Sequence, residues 1–123
     1  MKVLLVNGSP HEKGCTYTAL MEIAGTLEKE GISTEIFWIG NRPISGCIDC
    51  RTCIERKKCI FEDTVNEFLA IGKNSDGFIF GTPVHYASAA GAMISFMDRL
   101  FFADLLSDRQ SFYLKPAAAV VSA

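Results

Sequence analysis

Apolar residues fall along the chain in two ways, as short continuous runs and as stretches with a helical repeat. Lys2–Asn7 (KVLLVN) is a continuous run, the pattern of a parallel strand buried on both faces. Leu20, Ile23, Ala24 and Leu27 then recur at i, i+3, i+4 and i+7, which predicts an amphipathic helix over Thr16–Glu30 that stops at Gly31. Ser33–Ile39 (STEIFWI) mixes polar and apolar positions and reads as a strand at a sheet edge. Asp63–Asn74 predicts a second helix with Val65, Phe68 and Leu69 on one face, and Gly77–Gly81 (GFIFG) a third, buried strand. Ala87–Leu106 predicts a third helix whose core stripe is Met93, Phe96, Met97, Leu100 and Phe101. Lys115–Ser122 (KPAAAVVS) predicts a fourth strand. Between the second strand and the second helix, Gly40–Phe61 has no repeat and reads as a long irregular loop, a feature that in a compact domain is usually functional or flexible.

The order β-α-β-α-β-α-β predicts an α/β fold, an open parallel sheet with helices on both faces. Right-handed crossovers leave few arrangements. In the flavodoxin-like order 2-1-3-4-5, ligands bind beyond the carboxyl ends of strands 1 and 3, where the winding reverses. The loops after those strands, GSPHEKGCTYT and TPVHYA, would then face each other across one crevice. The 40–61 loop follows strand 2 and would leave the sheet at the same end.

Composition narrows the classes. A chain of 123 residues with 49% hydrophobic and 21% charged residues supports one domain, taken as 1–123. A net charge of −2 gives no footprint for nucleic acid. No apolar run approaches the roughly 20 residues that span a bilayer. The run Val3–Val6 is too short for a signal peptide, so a membrane role is not expected and a cytoplasmic location is the default. Five cysteines, four of them clustered, point in that compartment to metal or redox chemistry before structural disulfides.

The first loop suits a phosphate. Gly8-Ser9-Pro10 turns the chain out of the first strand, Gly14 leaves a position without a side chain, and Cys15, Thr16, Tyr17 and Thr18 open the helix. A helix N-terminus presents unpaired N–H groups and partial positive charge, and the hydroxyls of Ser9, Thr16 and Thr18 could add donors. The competing reading is that these residues only cap the helix. Neither the dinucleotide fingerprint nor a Walker A spacing is present.

NGSPHEKGCT, followed by GTPVHYASAAGAMISFMDRL, resembles the flavodoxin-like NADPH-dependent FMN reductases, and with the cysteine loop between them the chain looks still more like the iron–sulfur flavoproteins of that superfamily. The resemblance implies FMN, with its phosphate on Ser9–Thr18 and its ring against Pro83, Val84, His85 and Tyr86. His11 stands where the family often has Arg, and Cys15 where Asn is common, so the phosphate contact would carry less dependable positive charge. The flavin would supply the redox chemistry, so no catalytic acid or base is assigned. His85 and Tyr86 could equally be an exposed loop pair, and Asp98-Arg99 reads most simply as a solvated or helix-packing pair.

Cys47, Cys50, Cys53 and Cys59 stand as C-x2-C-x2-C-x5-C. Thiolates at such intervals can wrap a [4Fe–4S] cube, with Arg51, Arg56, Lys57 and Lys58 offsetting their charge. Such a cluster would lie at the ligand end of the sheet, near the flavin. Zinc, disulfides and an empty thiol loop stay open beside it.

The resemblance also implies a fourth helix, a fifth strand and a fifth helix beyond Ala123. Without them the fourth strand exposes an apolar edge, Ala117 to Val121, which invites another chain. The expectation is a truncated product or a homo-oligomer, with weaker flavin binding. Three functions follow. The leading one is an FMN-dependent oxidoreductase that takes reducing equivalents from NAD(P)H and passes them to a flavin, quinone or other small acceptor. The second is an iron–sulfur flavoprotein that carries electrons between a protein donor and FMN. The third is a zinc-stabilised, non-catalytic interaction module.

Overall fold

The computed structural model describes residues 1–123. Its strands are β1 (Lys2–Asn7), β2 (Ser33–Trp38), β3 (Gly77–Pro83) and β4 (Ala117–Ser122); its helices are α1 (Cys15–Lys29), α2 (Cys53–Arg56), α3 (Thr64–Gly72) and α4 (Gly91–Leu106). The strands form one parallel sheet in the order β2-β1-β3-β4. β1 and β3 lie in the middle, and their continuous apolar runs are buried as the pattern predicts. β2, with its mixed pattern, is at an edge. β4 forms the other edge, and its alanines and Val121 are exposed.

The two faces of the sheet carry different cores. On one, Leu5 packs with Leu20 and Ala24 of α1. On the other, Leu4, Val6, Phe78 and Phe80 pack with Val65, Phe68 and Leu69 of α3 and with Met93, Phe96 and Leu100 of α4. Phe68 is central, with ring centroids 5.1 Å from Phe37 and 5.5 Å from Phe96, both edge to face. Of the expected α4 stripe, Met97 is half-buried against the same core, and Phe101 sits at its rim, with its ring edge to face on Phe80 (5.8 Å) and Phe112 (5.2 Å).

Every predicted element but β1 shifts by a residue or more at one end or both, and two of these shifts bear on the site. Asp63 lies outside α3 and caps it, its side chain accepting from the Val65 amide. α4 starts at Gly91, not Ala87: Ala87 has a positive φ of 54° and Val84 bridges Ala89, so a tight turn occupies the segment. The Gly40–Phe61 loop is also not wholly irregular. It contains the single helical turn α2, ended by Lys57 in left-handed backbone (φ 61°).

Candidate functional site

The carboxyl ends of β1, β3 and β4 meet and are tied together. The Gly8 amide donates to the Gly81 carbonyl (2.8 Å) and the Val84 amide to the Ser122 carbonyl (2.9 Å). The loops after β1 and β3 therefore leave side by side, forming the crevice that the winding reversal requires.

The first loop is organised by Asn7, a residue the sequence reading passed over as part of the strand. Its Oδ1 accepts from the Ser9 amide (3.0 Å), and its Nδ2 donates to the Glu12 carbonyl (2.9 Å). Asn after an apolar strand and before Gly-Ser is a signal for such an Asx turn. Ser9 is buried and its Oγ accepts from the His11 amide (3.1 Å); His11 itself is exposed. Trp38, at the end of β2, donates through Nε1 to the Ser9 carbonyl (2.8 Å). No side chain caps the N-terminus of α1. The capping alternative thus fails for Ser9, Thr16 and Thr18, and the first-turn amides keep the character that suits an anion. The hydroxyls are engaged elsewhere. Thr16, buried, pairs with Ser122, and Thr18 donates back to the Gly14 carbonyl (3.2 Å). Cys15 is exposed and Tyr17 half-buried.

In the second loop, Thr82 accepts through Oγ1 from the Ala90 amide (3.0 Å), closing the turn that leads into α4. Pro83 and Val84 are half-buried, while His85 and Tyr86 are exposed, Tyr86 at 92%. The crevice therefore offers a rigid backbone edge at 82–84 and two free side chains beyond it.

The cysteine loop runs elsewhere. It leaves β2 at the crevice end, but the Cys47 amide donates to Asp98 Oδ2 (3.1 Å), and the chain then follows α4 away from the crevice. Cys47, Cys50, Cys53 and Cys59 line one pocket together with Ile60, Phe61, Arg99 and Phe102. Phe102 lies eleven residues into α4, about 16 Å along its axis from Gly91. The expectation that the thiols sit at the ligand end of the sheet is thus corrected: they lie along the flank of α4, because α2 packs on that helix.

Asp49 and Arg51 have positive φ (52° and 60°), which winds the loop tightly around Cys50. The Thr52 hydroxyl, then the Thr52 amide, holds the Cys50 thiol below its ordinary pKa, whereas burial pushes the Cys53 thiol up. No three or more His, Cys, Asp or Glu side chains converge as ligands of one metal ion.

The basic residues expected to offset the thiols are engaged with other partners. Arg56 and Lys58 pair with Glu62, Lys57 donates to the Ser107 carbonyl, and Arg51, which borders the pocket, pairs with Asp49. The cation beneath the thiols is Arg99, 1% exposed; it is not solvated, and its partner is Asp63 at the start of α3, not its neighbour Asp98. Its Nε donates to Cys59 Sγ (3.2 Å), and its two terminal nitrogens form a fork onto Asp63 (2.6 and 2.8 Å). Burial opposes its charge, but the Asp63 carboxylate and the Cys59 sulfur outweigh this and hold its pKa above the ordinary value.

A four-stranded parallel sheet in the order β2-β1-β3-β4 with helices on both faces defines a flavodoxin-like fold. The sequence pattern of the family described as NADPH-dependent FMN reductase matches residues 1–123, and the chain belongs to that family. It is 35% identical over 99 residues to an iron-sulfur flavoprotein of Methanocaldococcus jannaschii, covering 80% of this chain and 51% of that protein. It is 31% identical over 125 residues to an iron-sulfur flavoprotein of Clostridioides difficile, covering 99% of this chain and 54% of that one. The chain therefore spans about half the length of these curated relatives. Among solved structures, RosB with bound 8-demethyl-8-formylriboflavin-5'-phosphate superposes with a TM-score of 0.72 at 21% identity, over 98% of this chain and 51% of that one. The NAD(P)H:quinone oxidoreductase from Methanothermobacter marburgensis gives 0.69 at 12% identity, over 98% and 85%. These two similarities bear on the fold alone. No helix is long and apolar enough to cross a membrane.

Proposed function

We propose that the chain is the FMN-binding part of an oxidoreductase in which the four-cysteine pocket holds a [4Fe–4S] cluster, so that one-electron carriers can exchange with a flavin. The observation that carries this reading is the gathering of all four thiols on one pocket. A cube spreads its four ligands over several irons, whereas zinc needs its sulfurs about 2.3 Å from a single point. The run C-x2-C-x2-C-x5-C, without two C-x2-C pairs set apart by a longer spacer, supports the first over the second. The names of the curated relatives agree with the cluster.

In this reading the uncapped amides of α1 and the loop Ser9–Thr18, with His11, Cys15 and Tyr17 on its rim, take the flavin phosphate. The backbone edge at Pro83 and Val84 would orient the ring, and the exposed His85 and Tyr86 would border it. Bound FMN would supply hydride and single-electron chemistry, so that NAD(P)H can be the reductant and a quinone, a flavin or a protein carrier the partner. The chain's own part is binding and electrostatics. It fixes the loops by the Gly8–Gly81 and Trp38–Ser9 hydrogen bonds and keeps the Cys53 and Cys59 side of the thiol pocket dry with Phe61, Phe102 and Ala103.

Anaerobic purification followed by an absorption spectrum and analysis for iron, sulfide and zinc tests the reading. Flavin bands with roughly four iron and four sulfide per chain are expected. Flavin without iron would leave an NAD(P)H-dependent FMN reductase with an empty thiol loop, and zinc without flavin would overturn both assignments.

A further inference from the structure

Arg99 has five N–H donors, and all five are used. One terminal nitrogen donates to Asp63 Oδ2 (2.6 Å) and the Ser45 carbonyl (3.3 Å), the other to Asp63 Oδ1 (2.8 Å) and the Phe61 carbonyl (3.1 Å). That leaves Nε, which donates to Cys59 Sγ at 3.2 Å. The guanidinium also lies 5.0 Å from the centroid of the Phe61 ring. It has no freedom to turn, and its side chain is fully buried.

Cys59 is held from a second side. Its amide donates to Asn66 Oδ1 (2.8 Å), and its carbonyl accepts from Asn66 Nδ2 (2.9 Å). The other thiols differ. Cys47 and Cys50 are exposed on the loop, and Cys53 is carried by the short α2. Cys47 is tied to α4 only through its amide, which donates to Asp98, whereas Cys59 is held to α3 and α4 by its backbone and its sulfur together.

We infer that Arg99 is a positioning residue for the thiol centre: it fixes Cys59 as the anchored ligand and sets the reduction potential by donating one charged hydrogen bond to that sulfur. The inference rests on the cluster reading above. A hydrogen bond and a positive charge at a ligand sulfur favour the more negative, reduced form of a centre. The guanidinium is out of water, so its field on Cys59 is weakly screened. Asp63 opposes that field from the far side of the guanidinium, but its side chain is 30% exposed and partly screened. Arg99 and Asp63 should therefore act on the potential with opposite sign, which a purely structural ion pair would not do.

The test uses the whole chain, reconstituted anaerobically with iron and sulfide, as wild type, Arg99→Gln, Arg99→Lys and Asp63→Asn. Iron and sulfide per chain, iron loss to a chelator and the midpoint potential are read, with circular dichroism as the check on folding. Arg99→Gln is expected to lower the equilibrium constant for one-electron reduction roughly tenfold, a shift of about 59 mV downward. It should also lose iron to the chelator several-fold faster. Arg99→Lys keeps the charge without the Nε bond and should fall between. Asp63→Asn can still cap α3 and should shift the potential upward. If Arg99→Gln does not fold, the direction for Asp63→Asn decides. A wild type that loads its cluster while the folded variants share its potential, or shift in the same direction, overturns this inference alone. A wild type that takes up no cluster overturns the cluster reading and this inference together.

Discussion

Thr16 and Ser122 lie 106 positions apart and meet hydroxyl to hydroxyl at 2.8 Å. The contact joins the start of α1 to the end of β4, across the line where three strand ends converge. Both residues are covered, Thr16 almost fully. Thr16→Val and Ser122→Ala should each lower stability by about 1 kcal/mol, since each removes one neutral hydrogen bond. The double variant should lose little more than either single one, because the pair shares a single interaction. Urea denaturation of the flavin-free protein measures all three, and additive losses would show that the hydroxyls act separately.

Gly8 is required by a close approach. A Cβ built there would stand 2.4 Å from Met93 Cε and 2.9 Å from the Gly81 carbonyl oxygen. The methionine tip can move aside; the carbonyl, which belongs to β3 and accepts from the Gly8 amide, cannot. Gly8→Ala should therefore cost about 1–3 kcal/mol by overpacking. Gly8→Ala with Met93→Ala should not recover the full loss, because the backbone clash remains. Full recovery in thermal denaturation would locate the conflict in the methionine alone.

How legible the molecule was depends on what each residue's role left in the sequence. Val3–Val6 and Phe78–Phe80 announce buried parallel strands because a strand covered on both faces has no polar side to alternate with. Leu20 and Ala24 mark the face of α1 by helical spacing. Arg99 shows the opposite case. A charged residue in a helix normally faces water, and what buries this one is a partner 36 positions earlier that no local pattern announces. Asp63 falls inside the helix by pattern, and its part in that pair is as far from any local signal. The path of the cysteine loop along α4 was hidden for a related reason: it is set by Cys47–Asp98 and Lys57–Ser107 contacts between distant segments. The spacing of the four cysteines did announce their grouping, because thiols so close in a chain have little room to separate.

Trp38 reports on the flavin loop. It is the only tryptophan, and its Nε1 donates to the Ser9 carbonyl. On the proposed binding mode, FMN titrated into the apoprotein should quench Trp38 emission in a saturable way. Trp38→Phe removes the hydrogen bond that steadies Ser9. A loss of about 1 kcal/mol corresponds to roughly fivefold weaker FMN binding, followed by recovery of flavin fluorescence. Unchanged affinity would show that the loop holds its shape without the indole.

Cys50 and Cys53 of the metal-free protein should differ in reactivity, and the sign follows from their surroundings. Alkylation requires the thiolate. Cys50 is exposed, and its bonds to Thr52 lower its pKa, so at about neutral pH it holds more thiolate than an ordinary cysteine. Cys53 is buried, and desolvation raises its pKa, so it holds less and is also harder to reach. As pH rises, alkylation of Cys50 should therefore reach its plateau first, and Cys53 should follow at higher pH. Thr52→Val removes the hydroxyl that contributes most to the Cys50 shift and should move the Cys50 profile upward while leaving Cys53 nearly unchanged. Peptide mass spectrometry after timed iodoacetamide pulses separates the sites. Equal rates at Cys50 and Cys53 across the pH series would show that the loop opens fully in the absence of metal, and that its closed form depends on whatever the pocket holds.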